Sequence, residues 1–252
     1  MLDPLPPLRA SVARLRELVQ GLDDDRLEVK SYASDWTVAD VLSHLGSGAV
    51  LMQRRLQDAR DGTEVPEDYA PAVWDEWNAK APRAQADDCL AADERLLEAA
   101  DAVRAADRAT LTLSFGPVSV SFDEAFALRL NEHALHSWDI EVVFDDEARL
   151  APDATAVVVD NLAMIARFTA KPTGVEREVR VRTSDPARHF TVRLTATSAE
   201  LLAGDAGAQP DLELPAESFC RLVYGRLDPD HSPAVDANGE VLDLLRRVFP
   251  GP

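Results

Sequence analysis

Apolar residues recur every three or four positions through long stretches of residues 8–144, then every second position further along the chain. That change of period constrains the fold more than any other feature. Leu8, Val12, Leu15, Leu18 and Val19 share one stripe of a helix over Leu8–Leu22. A second helix is expected from Trp36, capped by Ser34 or Asp35, with Val38, Val41, Leu42, Leu45, Leu51 and Leu56 facing inward. Gly62–Pro71 reads as a loop, and Asp88–Ala106 as a third helix burying Leu90, Leu96, Leu97 and Val103. Thr110–Phe122 alternates around Gly116-Pro117 like a small hairpin. A fourth helix runs from Asp123 to Phe144 with Phe126, Leu130, Leu135 and Trp138 apolar. Four helices with one extended excursion suit a helical bundle, whose core can converge side chains on a metal.

The charged, proline-containing stretch Asp145–Pro152 marks a domain boundary, giving domains 1–148 and 149–252. Beyond it, Asp153–Thr169 is helical, while Arg177–Thr183 and His189–Thr197 alternate as antiparallel strands. Gly204–Gln209 is a turn and Leu212–Leu214 a short strand; Pro215–Tyr224 and Asn238–Phe249 are closing helices. Helices on one small antiparallel sheet make the whole chain α+β.

With 45 acidic against 26 basic residues the formal charge is −19, and such a field repels phosphate backbones, so nucleic acid is not an expected partner. Cys89 and Cys220 are the two cysteines, without CxxC spacing, which disfavours a disulfide framework or a thiolate zinc site. Any metal must then be held by nitrogen and oxygen. No apolar run approaches the ~20 residues of a membrane span. The start Met1-Leu2-Asp3-Pro4-Leu5-Pro6-Pro7 lacks the basic and apolar regions of an export signal, so a cytoplasmic location is expected.

Three of the five histidines fall in the first domain. His44 lies within the second helix, bordering its apolar stripe. On the fourth, Glu132 and His136 are spaced i, i+4, and His133 and His136 i, i+3; either pair can share one face and bind one ion. A third ligand from another helix would leave open positions for water or substrate, the mark of a catalytic zinc site. Spacing does not choose between Glu132 and His133. A hydrogen-bonded core or surface histidine is the ordinary alternative for each.

Asp35-Trp36-Thr37-Val38-Ala39-Asp40-Val41-Leu42-Ser43-His44-Leu45-Gly46 resembles the W-T-V-x-D-v-l-x-H-L segment of the mycothiol-dependent maleylpyruvate isomerase family, one of the DinB-like metal-binding bundles. Glu132-His133-Ala134-Leu135-His136-Ser137-Trp138-Asp139-Ile140 resembles the same family's E-x-x-x-H-x-W-D motif. The resemblance implies that His44, Glu132 and His136 are the metal ligands and His133 a bystander. It extends more weakly over Leu194-Thr195-Ala196-Thr197, Leu212–Glu217 and Leu222–Leu227, which look like the sterol-carrier-like domain that follows the bundle in that family. There an arginine engages the substrate carboxylate; the resemblance carries this role to Arg226, with Arg221 as the fallback, and an ordinary ion pair is the alternative for both. Trp36 is expected to pack between helices. Asp40 and Asp139 are each either a partner that orients a ligand histidine or a charge serving the helix or solvent.

The resemblance implies a zinc enzyme using mycothiol, an isomerase or a thiol S-transferase acting on a small electrophile or S-conjugate. In such an isomerase the substrate gains sulfur at one carbon of a double bond, rotates about the resulting single bond, and loses sulfur in trans form. A metal-dependent hydrolase working without thiol, and a non-catalytic small-ligand or lipid-binding protein with a structural metal, are the rival readings. The expected partners are a small substrate and a low-molecular-weight thiol, with no membrane, for a monomer or small homo-oligomer.

Overall fold

The computed structural model describes residues 2–64, 66–232 and 239–251. The chain divides into two compact units, Met1–Ala148 and Arg149–Pro252.

In the first unit α1 (Leu5–Gln20), α2 (Asp24–Leu27), α3 (Val38–Asp61), α4 (Tyr69–Asn78), α5 (Pro82–Asp101) and α6 (Ala105–Arg108) precede the hairpin β1 (Thr112–Phe115) and β2 (Val118–Ser121); α7 (Phe122–Glu141) closes the unit. The long helices α1, α3, α5 and α7 form the bundle. Their apolar stripes meet in a core that includes Leu8, Leu15, Val41, Leu42, Leu45, Leu96, Phe126 and Leu130, all nearly inaccessible to solvent. Each such leucine stabilises the fold by roughly 1.5–3 kcal/mol relative to its exposed state.

The two helices that carry the sequence motifs have matching starts. Thr37 Oγ1 accepts from the Asp40 amide while Asp40 Oδ2 accepts from the Thr37 amide, a reciprocal capping box. Ser121 and Glu124 do the same for α7. The expected cap at Ser34 or Asp35, with a start at Trp36, is thus corrected. Trp36 stays in a tight loop, in which its carbonyl accepts from Ser31 N at 2.9 Å and its own amide donates to Ala33 O at 2.7 Å.

Other boundaries differ for local reasons. The expected loop 62–71 runs into α4, whose Pro71 falls in the first turn, where amides have no intrahelical acceptor. That helix buries Val73 and Trp77, and Trp77 meets α3 at Gly46, where an added Cβ would lie 2.1 Å from the indole. Helix α5 starts at Pro82, a residue pre-organised for a first helical position, rather than at Asp88. It ends at Asp101 rather than Ala106, and the extended Arg104 then caps the separate short helix α6.

The second unit comprises α8 (Pro152–Thr169), β3 (Arg177–Ser184), β4 (Arg188–Leu194), β5 (Ala199–Ala203), β6 (Leu212–Pro215), α9 (Ala216–Val223) and α10 (Gly239–Val248). The sheet order is β5-β4-β3-β6, antiparallel except for the parallel β3–β6 pair. Val179, Val181, Val192 and Leu194 face inward, while Arg182 pairs with Glu213, and Arg193 with Glu178, on the solvent side. Strand β5 was not expected: its sequence Ala-Glu-Leu-Leu-Ala has little intrinsic strand preference, and pairing with β4 from Ala199 to Ala203 overrides it. Strand β4 stops at Leu194 because Thr195 and Ser198 bond each other across a turn. Asn238, the expected start of the last helix, lies outside the described residues. Among those residues no helix is long and apolar enough to cross a membrane. The architecture is α+β, a helical first unit followed by a smaller unit built on strands.

Candidate metal centre

His44 projects from the second turn of α3, and Glu132 and His136 from successive turns of α7. His44 Nε2 lies 3.3 Å from Glu132 Oε2, and His136 Nε2 lies 3.6 Å from the same oxygen. One ligand atom from each residue falls within 4.8 Å of the other two, and no other such group of three His, Cys, Asp or Glu occurs among the described residues. The imidazoles meet edge to face, ring centroids 4.7 Å apart. Partial burial opposes charge on Glu132, but the His136 and His44 imidazoles beside it outweigh that and hold the carboxyl far below its ordinary range.

The surroundings orient this set. Asp139, with no exposed side-chain surface, places Oδ2 2.8 Å from His136 Nδ1. With Nδ1–H donating to that carboxylate, neutral His136 would present the Nε2 lone pair to a metal on the Glu132 side, the usual carboxylate–imidazole arrangement behind a metal ligand. Of the two roles expected for Asp139, the orienting one has this geometry. Asp40 does not do the same for His44, since its carboxylate is engaged by the Thr37 amide and hydroxyl at 2.8 Å each. The Asp139 carbonyl also accepts from the Tyr32 amide at 3.0 Å, and this anchors the loop that carries Trp36.

Trp36 does not pack between helices. It lies beside the ligand set, its ring 5.2 Å from that of His44 and 6.0 Å from that of His136, with 37% of the residue exposed. Because Thr37 caps α3, the tryptophan falls one residue before the cap and forms a wall of the site; only the W-T adjacency in the sequence hints at this. The side chains of His44 and Glu132 keep 36% and 45% exposure. The three donors therefore suit a divalent ion held on one side and open on the other. Two imidazole nitrogens and one carboxylate oxygen fit zinc and neighbouring transition metals better than magnesium or calcium, which prefer all-oxygen shells.

His133 turns the other way, into the bundle. It is fully buried, with Nδ1 2.9 Å from Ser11 Oγ and Nε2 3.2 Å from Asp93 Oδ2. Cys89 and Cys220 are buried, and burial pushes both thiols well above their ordinary range, which keeps them from serving as thiolates. In the second unit, Arg226 is 5% exposed and its Nη1 donates to Tyr224 O at 2.9 Å. Arg221 is wholly buried, paired with Glu217 and donating to the His231 carbonyl.

Residues 8–141 match the family described as the mycothiol maleylpyruvate isomerase N-terminal domain, more than half of the chain. The protein belongs to that family. Crystal structures of the mycothiol-dependent maleylpyruvate isomerase share its fold: one superimposes with a TM-score of 0.66 at 14% identity over 90% of each chain. A histidine-to-alanine variant of that isomerase gives 0.65 at 13% identity over 89% of each. No curated protein sequence matches the chain. The match to the isomerase family spans α3 and α7, and with them all three candidate ligands.

Proposed function

We propose that the protein is a zinc-dependent enzyme that uses mycothiol, as an isomerase or thiol S-transferase of the maleylpyruvate isomerase kind, with His44, Glu132 and His136 holding the metal. The observation that carries this reading is the convergence of their three donor atoms within 4.8 Å in a chain of that family. When bound, the metal would supply Lewis acidity, lowering the pKa of a thiol at the open position so that sulfur is nucleophilic at neutral pH. Glu132 offsets part of the ion's charge. Asp139 fixes the His136 tautomer and ring plane, and Trp36 shields one side of the site from water. Arg226 is assigned the substrate carboxylate, on the family resemblance of Gly225-Arg226. Such a protein works on small molecules in the cytoplasm, where the thiol is kept reduced.

The test is conversion of maleylpyruvate, followed by absorbance, by zinc-loaded protein with and without mycothiol. We expect turnover only with the thiol. Regenerated thiol identifies an isomerase, and consumed thiol a transferase. Thiol-independent hydrolysis of ester or amide substrates would replace this reading with a hydrolase, and binding of apolar ligands without any turnover would replace it with a carrier.

A further inference from the structure

Beside the candidate ligands, the bundle buries an ionic cluster that the proposed chemistry does not use. Asp93 on α5 and Arg129 on α7 form an ion pair at 2.8 Å, with side chains 1% and 4% exposed. Arg129 Nη2 also donates to the carbonyl of Leu45, at 2.8 Å, in the interior of α3. Asp93 Oδ2 meets His133, and His133 meets Ser11 of α1. One cluster therefore joins all four long helices.

As a source of stability this arrangement is poor. Burying both charges has a large desolvation cost, and hydrophobic side chains of similar volume often serve as well or better. Arg129 Nε, moreover, is buried with no hydrogen-bond partner among the described residues. As a device for alignment it is well placed. Leu45 follows His44 directly, and Arg129 precedes Glu132 by three residues and His136 by seven, on the same side of α7. Glycine at residue 48 gives the guanidinium room against α3; a Cβ there would lie 2.9 Å from Arg129 Nη1.

We propose that the buried Asp93–Arg129 pair, seated against Gly48 and the Leu45 carbonyl, is a register clamp that holds His44 on α3 opposite Glu132 and His136 on α7. A slip of one residue moves a helix by about 1.5 Å. Metal–ligand distances tolerate only about 0.2 Å. Apolar stripes alone allow far more looseness than that, because cores accept many hydrophobic combinations before the fold is lost. A directional bond from α7 to a fixed carbonyl on α3 does not. Asp93 and Arg129 are thus positioning residues for the metal centre.

This inference rests on the metal reading above, and its test separates the two. Cobalt(II) binding to the full-length protein would be followed through the visible absorption bands and zinc affinity through chelator competition, each beside thermal unfolding of the metal-free chain. The double variant Asp93→Leu/Arg129→Met removes both charges together. Gly48→Ala keeps both charges and crowds Arg129 Nη1 where it sits against α3. We expect both variants to unfold within a few degrees of the unaltered chain, to bind metal roughly 10–100-fold more weakly, and to show altered cobalt bands. Unchanged affinity and bands would overturn the clamp, as would a loss of affinity matched by an equal loss of stability. If the double variant does not fold, Gly48→Ala decides by the same readouts. An unaltered chain that binds no cobalt would remove the metal centre itself, and the clamp with it.

Discussion

The two units bury polar groups in opposite ways. In the first, the cluster is built from residues far apart in sequence: Ser11 and His133 are 122 positions apart, and Asp93 and Arg129 are 36. In the second, Arg221 bonds Glu217 four residues before it and the carbonyls of Arg226 and His231 five and ten after it. Charge differs as well. Residues 1–148 carry 30 acidic and 14 basic side chains, against 15 and 12 in residues 149–252. A long-range buried cluster fixes how helices sit against one another, whereas a local one shapes a single helix and the turn after it. The ligand set, which needs two helices aligned, lies in the unit with the long-range cluster.

The largest effect should come from breaking that cluster on one side only. Asp93→Asn leaves Arg129 buried without its counter-charge and should cost about 3–5 kcal/mol in denaturant unfolding of the first unit. Burial opposes the Asp93 charge, but His133 and Arg129 prevail and hold the carboxyl below its ordinary range. A carboxyl depressed in the folded state contributes stability that is full above its unfolded pKa, about 3.9, and is lost as pH falls toward the folded value. The unaltered protein should therefore lose stability below about pH 4 more steeply than Asp93→Asn, measured by unfolding at a series of pH values. Parallel curves would remove Asp93 from that role.

A smaller effect is expected from Glu217→Gln. Arg221 is then also buried without its counter-charge, but Glu217 is 14% exposed and Arg221 keeps two carbonyl acceptors, so the loss should be smaller, about 1–3 kcal/mol. It should also stay within the second unit, with metal affinity unchanged by chelator competition. If Glu217→Gln cost as much as Asp93→Asn, or shifted metal affinity, the contrast between local and long-range clusters would fail.

The amino-acid sequence encodes these features unevenly. The four long helices and the β3–β4 pairing were visible because their apolar periods are strong. Helix α4 and strand β5 were not, since Pro71 disguises the first and the second is set by its neighbour β4. At the site, spacing brought His44, Glu132, His133 and His136 forward but could not rank Glu132 against His133, because both lie within a turn of His136. Their different surroundings come from which helices lie on either side of α7. His133 faces Ser11 on α1 and Asp93 on α5, and no local pattern encodes that pairing. Asp40 and Asp139 were equally ambiguous; a capping box claims the first, and burial beside His136 claims the second. Arg129, the centre of the proposed clamp, gave no local signal at all, because its partners Asp93 and Leu45 are distant in sequence.

The ligand set is decided by metal stoichiometry from native mass spectrometry combined with zinc affinity by chelator competition, on the unaltered chain and on His44→Ala, His136→Ala and His133→Ala. We expect one divalent ion per chain, lost or weakened well beyond 100-fold in His44→Ala and His136→Ala, since loss of a ligand should exceed the roughly 10–100-fold effect of losing a supporting residue. His133→Ala should be less stable but retain its ion. Near-stoichiometric metal in His44→Ala, or loss of metal in a well-folded His133→Ala, would contradict the assignment of His44, Glu132 and His136 as the ligand set.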